Sequence, residues 1–151
     1  MKATDLLKKQ HKQVKALFKK IDKTENPRER RQLMEQIEQE LKMHTKIEEQ
    51  IFYPAVRGIE TKKAEEMYME ALEEHHVVDL VLKELPQVDP ADERFHAKMT
   101  VLSELVEHHA DEEEEEMFPM AEKKLGSEEL KELGARMEQM AGMSGRGRKA
   151  A

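Results

Sequence analysis

The chain of 151 residues has no cysteine, no tryptophan and only six aromatic residues, four Phe and two Tyr. Without cysteine it can form no disulfide, thiol nucleophile or iron–sulfur cluster, so any metal must be held by nitrogen and oxygen. No apolar run approaches the roughly 18 residues of a membrane-spanning helix. The N-terminal residues 1–5 also lack the apolar stretch of a signal peptide. We therefore expect a cytoplasmic protein that does not associate with membranes.

Charge dominates the composition, because 39% of the residues are charged and the formal net charge is −7. Phosphate binding needs a basic surface, so nucleic acid is not an expected partner. Leu, Ile, Val and Phe make up only about a fifth of the chain, close to the range in which highly charged chains are disordered. The spacing of the apolar residues therefore has to decide whether this chain folds.

That spacing is three and four residues, which predicts helices and no strands. Caps, prolines and glycines divide the chain into four long helices: about Thr4–Lys23, Asn26–Arg57, from Thr61 to before Pro86, and from Asp89 into Pro119. A short fifth helix runs from Ser127 to about Met140. Similar lengths and short connections favour an all-α fold, an up-and-down antiparallel four-helix bundle with a short C-terminal helix.

The same punctuation predicts the organisation of the chain. Residues 1–125 form the bundle, residues 126–143 form a C-terminal helix packed on it, and residues 144–151 form a flexible basic tail. No separate second domain is indicated.

Four of the seven histidines mark an internal duplication. Apolar residues follow His11 and His75 at the same four offsets, +3, +6, +7 and +10. His44 and His109 each have a glutamate at +4 and a proline at +10. His44 lies 33 residues after His11, and His109 lies 34 residues after His75. The first two helices and the next two are therefore two copies of one hairpin.

This register places imidazoles and carboxylates on the apolar faces of the helices, since residues four apart share a face. Burying an unpaired carboxylate costs several kcal/mol, and the inward positions hold no lysine or arginine. A bound cation is the partner that the pattern favours, and iron, zinc or manganese suits such ligands. The candidate metal ligands are His11, His44, Glu48, His75, His109 and Glu113.

Over about residues 4–120 the chain resembles the hemerythrin-like family, the HHE cation-binding domains. The likeness rests on His11, on the segments 44–54 (HTKIEEQIFYP) and 109–119 (HADEEEEEMFP), and on Glu74-His75-His76. The resemblance implies two non-haem iron ions, bridged by oxo or hydroxo, that interact with O2, peroxide or nitric oxide. It also implies that the four histidines are terminal ligands and that Glu48 and Glu113 bridge. Any turnover would be catalase-like handling of peroxide or nitric oxide.

One departure from the family pattern concerns a fifth histidine. Dioxygen-carrying hemerythrins place a second His four residues from the first on the third helix, where this chain has Ala71 and Asp79 around His75. Their Asp at +5 of the fourth-helix His is replaced by the glutamate at +4. Simple reversible oxygen carriage is therefore not implied. Asp79, His76, His108 or water remain alternatives for the vacant position.

Two other function classes remain open. Oxidases and ferroxidases of the ferritin-like class use Glu-x-x-His pairs with extra glutamates. This chain has the reverse order, His-x-x-x-Glu, and only two carboxylates for four imidazoles, which favours binding or ligand handling over substrate oxidation. Metal storage or sensing, in which occupancy controls folding, is the non-catalytic alternative.

The neighbours of the candidate ligands are expected to be ordinary surface or core residues. His76 and His108 point about 100° away from the ligand face and are expected in solvent or behind the ligands, and His96 is expected on the surface. Bulky residues near the two prolines are predicted core plugs: Phe52, Tyr53, Met117 and Phe118. Tyr53 has the alternative role of donating a hydrogen bond to a bound oxygen species.

The acidic run 111–116 is predicted to be mostly a solvated face, with only one inward residue. Glu112 and Glu116 replace Ile47 and Ile51 of the first copy. Packing beside the second copy is therefore expected to be looser or wetter.

Overall fold

The computed structural model describes the backbone of residues 1–150 and the side chains of residues 1–142. The helices are α1 (Ala3–Lys23), α2 (Pro27–Ile47), α3 (Tyr53–Arg57), α4 (Lys62–Glu84), α5 (Glu93–Glu112), α6 (Phe118–Leu125) and α7 (Ser127–Ala150). Two π-helical turns, Glu48–Phe52 and Glu113–Met117, join α2 to α3 and α5 to α6, and a 3-10 turn, Leu85–Gln87, follows α4. Residues 1–150 contain no strand, so the prediction of an all-α chain is confirmed.

Two of the predicted helix starts carry the expected caps. The side chain of Asn26 accepts a hydrogen bond from the backbone N–H of Glu29 at 3.1 Å, and Thr61 accepts one from Ala64 at 3.1 Å. Thr4 is not the cap of α1, because the helix already begins at Ala3. The buried Thr4 hydroxyl instead donates to Glu122 at 3.0 Å and ties α1 to α6. Within the described residues no helix is both long and apolar enough to cross a membrane.

The predicted start of α5 at Asp89 is wrong by three residues. Asp89 accepts a hydrogen bond from the N–H of Ala91 at 2.9 Å and so closes a turn. The helix cap is Asp92, which accepts from the N–H of Arg94 at 2.9 Å. The carbonyl of the buried Pro90 accepts from the Arg30 guanidinium at 2.9 Å. Proline here shapes the loop before the helix and does not occupy its first turn.

The buried apolar side chains form two clusters with the candidate ligands between them. The first includes Leu7 of α1, Ile47, Ala71 of α4 and Met117. The second includes side chains of the same four long segments: Val14 of α1, Leu41 of α2, Val78 of α4 and Leu102 of α5. These segments, which are α1, α4, and α2 and α5 each with the π-helical turn that follows it, are called rods below. Along each rod one histidine separates the two clusters. The fold therefore places a polar layer inside an otherwise apolar core.

Helix α7 closes the first cluster by packing against α1, α2 and α6. Its buried residues Leu130, Leu133 and Met137 belong to that cluster. Gly134 lies directly against the first residues of the chain, where an added Cβ would collide with the carbonyl oxygen of Met1. The predicted basic tail, residues 144–151, falls outside the residues whose side chains are described.

The contact at Gly134 predicts a position-specific cost of a single methyl group. Gly134→Ala should lower the free energy of unfolding by about 1–3 kcal/mol, because the methyl group overpacks the α1–α7 contact. Gly142→Ala is the matched control, since nothing lies within 4 Å of a Cβ there. The control should be neutral or more stable, as alanine favours a helix by about 0.5–1 kcal/mol over glycine. Urea denaturation of both variants measures this, and equal stability of the Gly134 variant and the wild type would contradict the contact.

Candidate metal centre

All six candidate ligands are buried and meet in the polar layer between the two apolar clusters. Their donor atoms form two groups in which every atom lies within 4.8 Å of the others. The groups are His11, His44, Glu48 and Glu113, and Glu48, His75 and His109. Glu48 belongs to both groups. The arrangement suits two adjacent cations that share a carboxylate.

Glu48 is fully buried at the middle of the layer. Its Oε1 lies 3.1 Å from Nε2 of both His44 and His75. Among the described residues, neither of its oxygens nor Nε2 of His44 has a hydrogen-bond partner. Burial opposes the charge of Glu48, yet the electrostatic attraction of His44 holds the pKa of this carboxyl well below its ordinary value. A charged carboxylate without partners in a protein core needs a positive charge beside it, and a metal ion fits that requirement.

Glu113, the second carboxylate, is held by the hydroxyl group of Tyr53. That hydroxyl donates to Oε2 of Glu113 at 2.7 Å and lies 3.1 Å from Nε2 of both His75 and His109. Oε1 of Glu113 lies 3.1 Å from Nε2 of His11. Burial, followed by the nearby carboxylates, raises the pKa of Tyr53 well above its ordinary value, so the phenol keeps its proton. Tyr53 is buried, as predicted for a core residue, but its polar end faces the centre.

Each of the four histidines also makes a hydrogen bond on its outer side. The Nδ1 contacts are His11 to Glu114 at 2.8 Å, His44 to Gln10 at 2.6 Å, His75 to Glu49 at 2.9 Å and His109 to Glu74 at 2.8 Å. An acceptor at Nδ1 fixes the ring and leaves Nε2 directed at the centre, as in protein metal sites. Sequence reasoning missed these partners. Their signal was a polar residue directly before His11 and His75, and a glutamate directly after each inward glutamate.

The π-helical turns explain why Tyr53 faces the centre. In an α-helix a residue five positions after Glu48 points about 140° away from it. Here the N–H of Tyr53 bonds to the carbonyl of Glu48, five residues back, so the two side chains share a face. Phe118 bonds to Glu113 in the same way, and its ring stacks on that of His11 with centroids 5.9 Å apart. The proline at +10 in each copy was the available signal, since proline disrupts the regular α-helical ladder.

The other predicted candidates for the fifth-histidine position lie elsewhere. His76 is exposed, and Asp79 pairs with Lys83 at 3.3 Å. The exposed His108 lies 3.0 Å from Glu112. The Tyr53 hydroxyl, which donates to Glu113, lies 3.1 Å from Nε2 of both His75 and His109.

A small cavity lies beside the ligand layer, on the side of the second apolar cluster. Its volume is about 30 Å³, and the four histidines form one wall. The remaining wall is largely apolar, with Val14, Leu41, Val78 and Val106. This space is about that of one water molecule, so it suits a ligand of two or three atoms.

Comparison with known proteins identifies the family. Residues 2–121 match the model of the hemerythrin HHE cation-binding domain, and the chain belongs to this family. A crystal structure of an HHE cation-binding domain-containing protein from Mycobacterium kansasii is similar, with a TM-score of 0.76, 30% identity, and coverage of 95% of this chain and 89% of that one. The hemerythrin-like helical fold and the capacity for cation binding follow from this membership.

Two curated relatives extend the comparison. An uncharacterized protein of Mycobacterium tuberculosis is 33% identical over 150 residues, covering 94% of this chain and 89% of that protein. A DNA nickase of Nostoc sp. is 25% identical over 133 residues, which are 87% of this chain. The match spans only 37% of the nickase.

Protons occupy part of the centre when no metal is bound. Burial alone would lower the pKa of His11, His75 and His109, but hydrogen bonds and attraction from Glu113 and Glu48 raise each of them above the ordinary 6.5. Burial and the charge of Glu48 raise the pKa of Glu113. These shifts favour protonated imidazoles at His11, His75 and His109 beside the carboxylates when no metal is bound.

This exchange of protons for metal predicts opposite pH dependences for the two forms. Groups with a raised folded-state pKa stabilise below their unfolded value, and that stability is lost as the pH rises through the folded value. The chelator-treated protein should therefore lose thermal stability as the pH rises above about 6.5, the ordinary pKa of histidine. Metal must displace the same protons, so the rise in melting temperature on metal loading should grow with the same increase in pH. Melting curves of both forms measure this, and a metal-free protein that becomes more stable with rising pH would contradict it.

Proposed function

We propose that the centre holds two non-haem iron ions and that the protein binds or reacts with O2, peroxide or nitric oxide there. The observation that carries this is the Glu48 carboxylate, which is fully buried, without hydrogen-bond partners, and shared by both donor groups. Imidazole and carboxylate donors also suit zinc or manganese, but histidine-rich sites with open positions are typical of non-haem iron. Bound iron supplies Lewis-acid and redox chemistry to small oxygen or nitrogen oxide ligands.

We assign the ligands by half-site: His11 and His44 to one ion, His75 and His109 to the other, and Glu48 and Glu113 to both. The two halves differ in one polar group. Tyr53 adds a hydroxyl beside the second ion, 3.1 Å from Nε2 of both His75 and His109. Its counterpart 65 residues later is Phe118, which supplies no donor to the first ion. Because only the second ion has such a hydroxyl beside it, we expect a small ligand to bind at an open coordination position of the first ion.

The types of donor group in the centre favour binding or reaction of small ligands over ferroxidase activity. The inner set contains two carboxylates and four imidazoles, whereas ferritin-like oxidases use carboxylate-rich sites. The cavity of about 30 Å³ supports the same conclusion, because it admits a ligand of two or three atoms and no organic substrate.

We also propose that the four long rods follow each other in up-and-down antiparallel order. The first apolar cluster precedes the histidine in α1 and α4 and follows it in the α2 and α5 rods. Such alternation is expected when each rod reverses the direction of the one before it.

The metal assignment predicts different outcomes for two substitutions that change the charge equally. Glu48→Gln should reduce iron from about two ions to one or fewer per chain and weaken near-ultraviolet charge-transfer absorption, because a bridging carboxylate is lost. Its melting temperature in the presence of iron should fall, since a ligand of the folded state stabilises it. Glu115→Gln, at an exposed position of the acidic run, is the control and should keep both ions.

Metal analysis of freshly purified protein and an optical spectrum measure these outcomes. A Glu48 variant with its full iron complement would refute the ligand role. A wild-type protein that takes up no iron would refute the proposed function.

The cavity beside the ligand layer predicts that access is controlled by size. Val78→Leu adds a methylene group to the wall and should weaken nitric oxide binding to the reduced, iron-loaded protein at least about tenfold, because little free volume remains. Iron content should not change. Val81→Leu is the matched control, since Val81 packs in the second cluster away from this cavity. Optical titration measures both affinities, and equal affinity in the two variants would exclude the cavity as the binding position.

A further inference from the structure

The two hairpins differ on the face that flanks the ligand layer. On the first hairpin this face is apolar, with Met43, Ile47 and Ile51 on the α2 rod. The equivalent residues, 65 positions later, are His108, Glu112 and Glu116. The first helix of each hairpin differs in the same way. Leu6 and Gln10 of α1 are replaced, 64 positions later in α4, by Glu70 and Glu74. Four apolar positions of one copy are thus acidic or imidazole side chains in the other.

Among the residues whose side chains are described, helix α7 packs on the first of these faces. Its Leu130, Leu133 and Met137 pack in the same cluster as Leu6 and Ile47. On the second hairpin the equivalent face is a narrow cleft of about 20 Å³ between α4 and the α5 rod. Four glutamates outside the inner set line this cleft beside the apolar Met67, Ala71 and Met117, and two candidate metal ligands, His109 and Glu113, take part in its wall. The cleft therefore reaches the centre itself.

A mixed donor set lies at the outer end of the cleft. Atoms of Glu74, His108 and Glu112 lie within 4.8 Å of one another. Nε2 of His108 is 3.0 Å from Glu112 and 3.9 Å from Oε2 of Glu74. The other oxygen of Glu74 accepts from Nδ1 of His109 at 2.8 Å, so one side chain joins the outer set to the inner one. In the described part of the chain no lysine or arginine forms an ion pair with Glu70, Glu74, Glu112 or Glu116.

The inner end of this path is the buried carboxylate of Glu48. His109 lies 3.9 Å from Oε1 of Glu48, whose two oxygens have no hydrogen-bond partner in the described part of the chain. The cavity on the opposite side of the layer is largely apolar and would strip water from a passing ion without replacing it. Along a path lined by carboxylates, the carboxylate oxygens can replace the water molecules that a cation loses.

We propose that divalent cations, Fe(II) in particular, reach the centre through the cleft between α4 and α5, and that Glu74, His108 and Glu112 bind the cation on its way. This inference rests on the proposed function, because it assigns a route to a metal that the centre would hold. Neutral ligands use the apolar cavity, and cations use the carboxylate cleft.

The test measures the rate at which chelator-treated protein takes up Fe(II) under anaerobic conditions. Glu112→Gln/Glu116→Gln removes two cleft carboxylates that are not inner ligands. Asp111→Asn/Glu115→Gln is the control, since it removes the same charge from exposed positions of the same acidic run. We expect uptake in the cleft variant to slow about tenfold or more, within the range of electrostatic steering. The control should stay within about twofold of the wild type, and both variants should end with the wild-type number of ions.

A second variant separates the donor set from the charge of the cleft. His108→Ala removes an exposed imidazole and should slow uptake severalfold without changing the final iron content. At about 0.5 M salt the difference between the cleft variant and its control should shrink, because salt screens the attraction between the cleft carboxylates and an approaching cation.

The outcomes separate a failure of the proposed entry route from a failure of the proposed metal centre. Uptake at the same rate in the cleft variant and the wild type, with full loading, would overturn the route alone. Equal slowing of the cleft variant and its control would also overturn it, since net charge and not position would then control uptake. If the wild-type protein took up no Fe(II), the proposed function would fail and the route with it.

Discussion

The rest of the structure is arranged around one buried charge, the carboxylate of Glu48. Two apolar clusters exclude water from both sides of it, and no described side chain donates a hydrogen bond to it. The four imidazoles that surround it supply compensation in either of two ways. The raised pKa values of His11, His75 and His109 favour their cationic forms, and under the proposed function the deprotonated Nε2 atoms would bind metal. The outer acceptors at Nδ1 serve both states, because they hold each ring in the same orientation whether Nε2 carries a proton or faces a metal ion.

The helices that carry the carboxylates are adapted locally to this centre. A proline six residues after each inward glutamate cannot donate the hydrogen bond that an α-helix requires, and its ring crowds the carbonyl four residues earlier. The π-helical turns Glu48–Phe52 and Glu113–Met117 absorb both conflicts by bonding five residues back. Such turns are rare and occur frequently at functional sites. Here they rotate one further aromatic side chain into the centre on each copy, a phenol on the first and a phenyl ring on the second.

The spacing of the histidines was sufficient to predict which six side chains meet, because the duplicated register places His44 and Glu48 on one face of a regular helix. It was insufficient for Tyr53, since the angle between Glu48 and Tyr53 depends on a π-helical turn that α-helical periodicity does not contain. The predicted start of α5 was wrong for a related reason. Asp89 and Asp92 are equally good caps by residue type, and the loop before Asp92 is held by a contact with a distant residue, the Arg30 guanidinium on the Pro90 carbonyl. The outer acceptors of the histidines come from other helices, so their pairing depends on how the rods pack and not on local sequence.

The duplication explains why the two sides of the centre have different properties. Two identical hairpins would give the layer two equivalent flanks, and both would need either a cover or solvent. In this chain α7 covers one flank, where Ile47 and Ile51 are apolar. The other flank carries Glu112 and Glu116 at the same positions and remains accessible, because a cover helix there would bury carboxylates without partners. A closed, apolar flank stiffens the ligand layer, and an open, acidic flank lets solvent and cations approach it. Under the proposed function both properties would serve a buried centre that takes up its metal from water, and a symmetric pair of hairpins would supply only one of them.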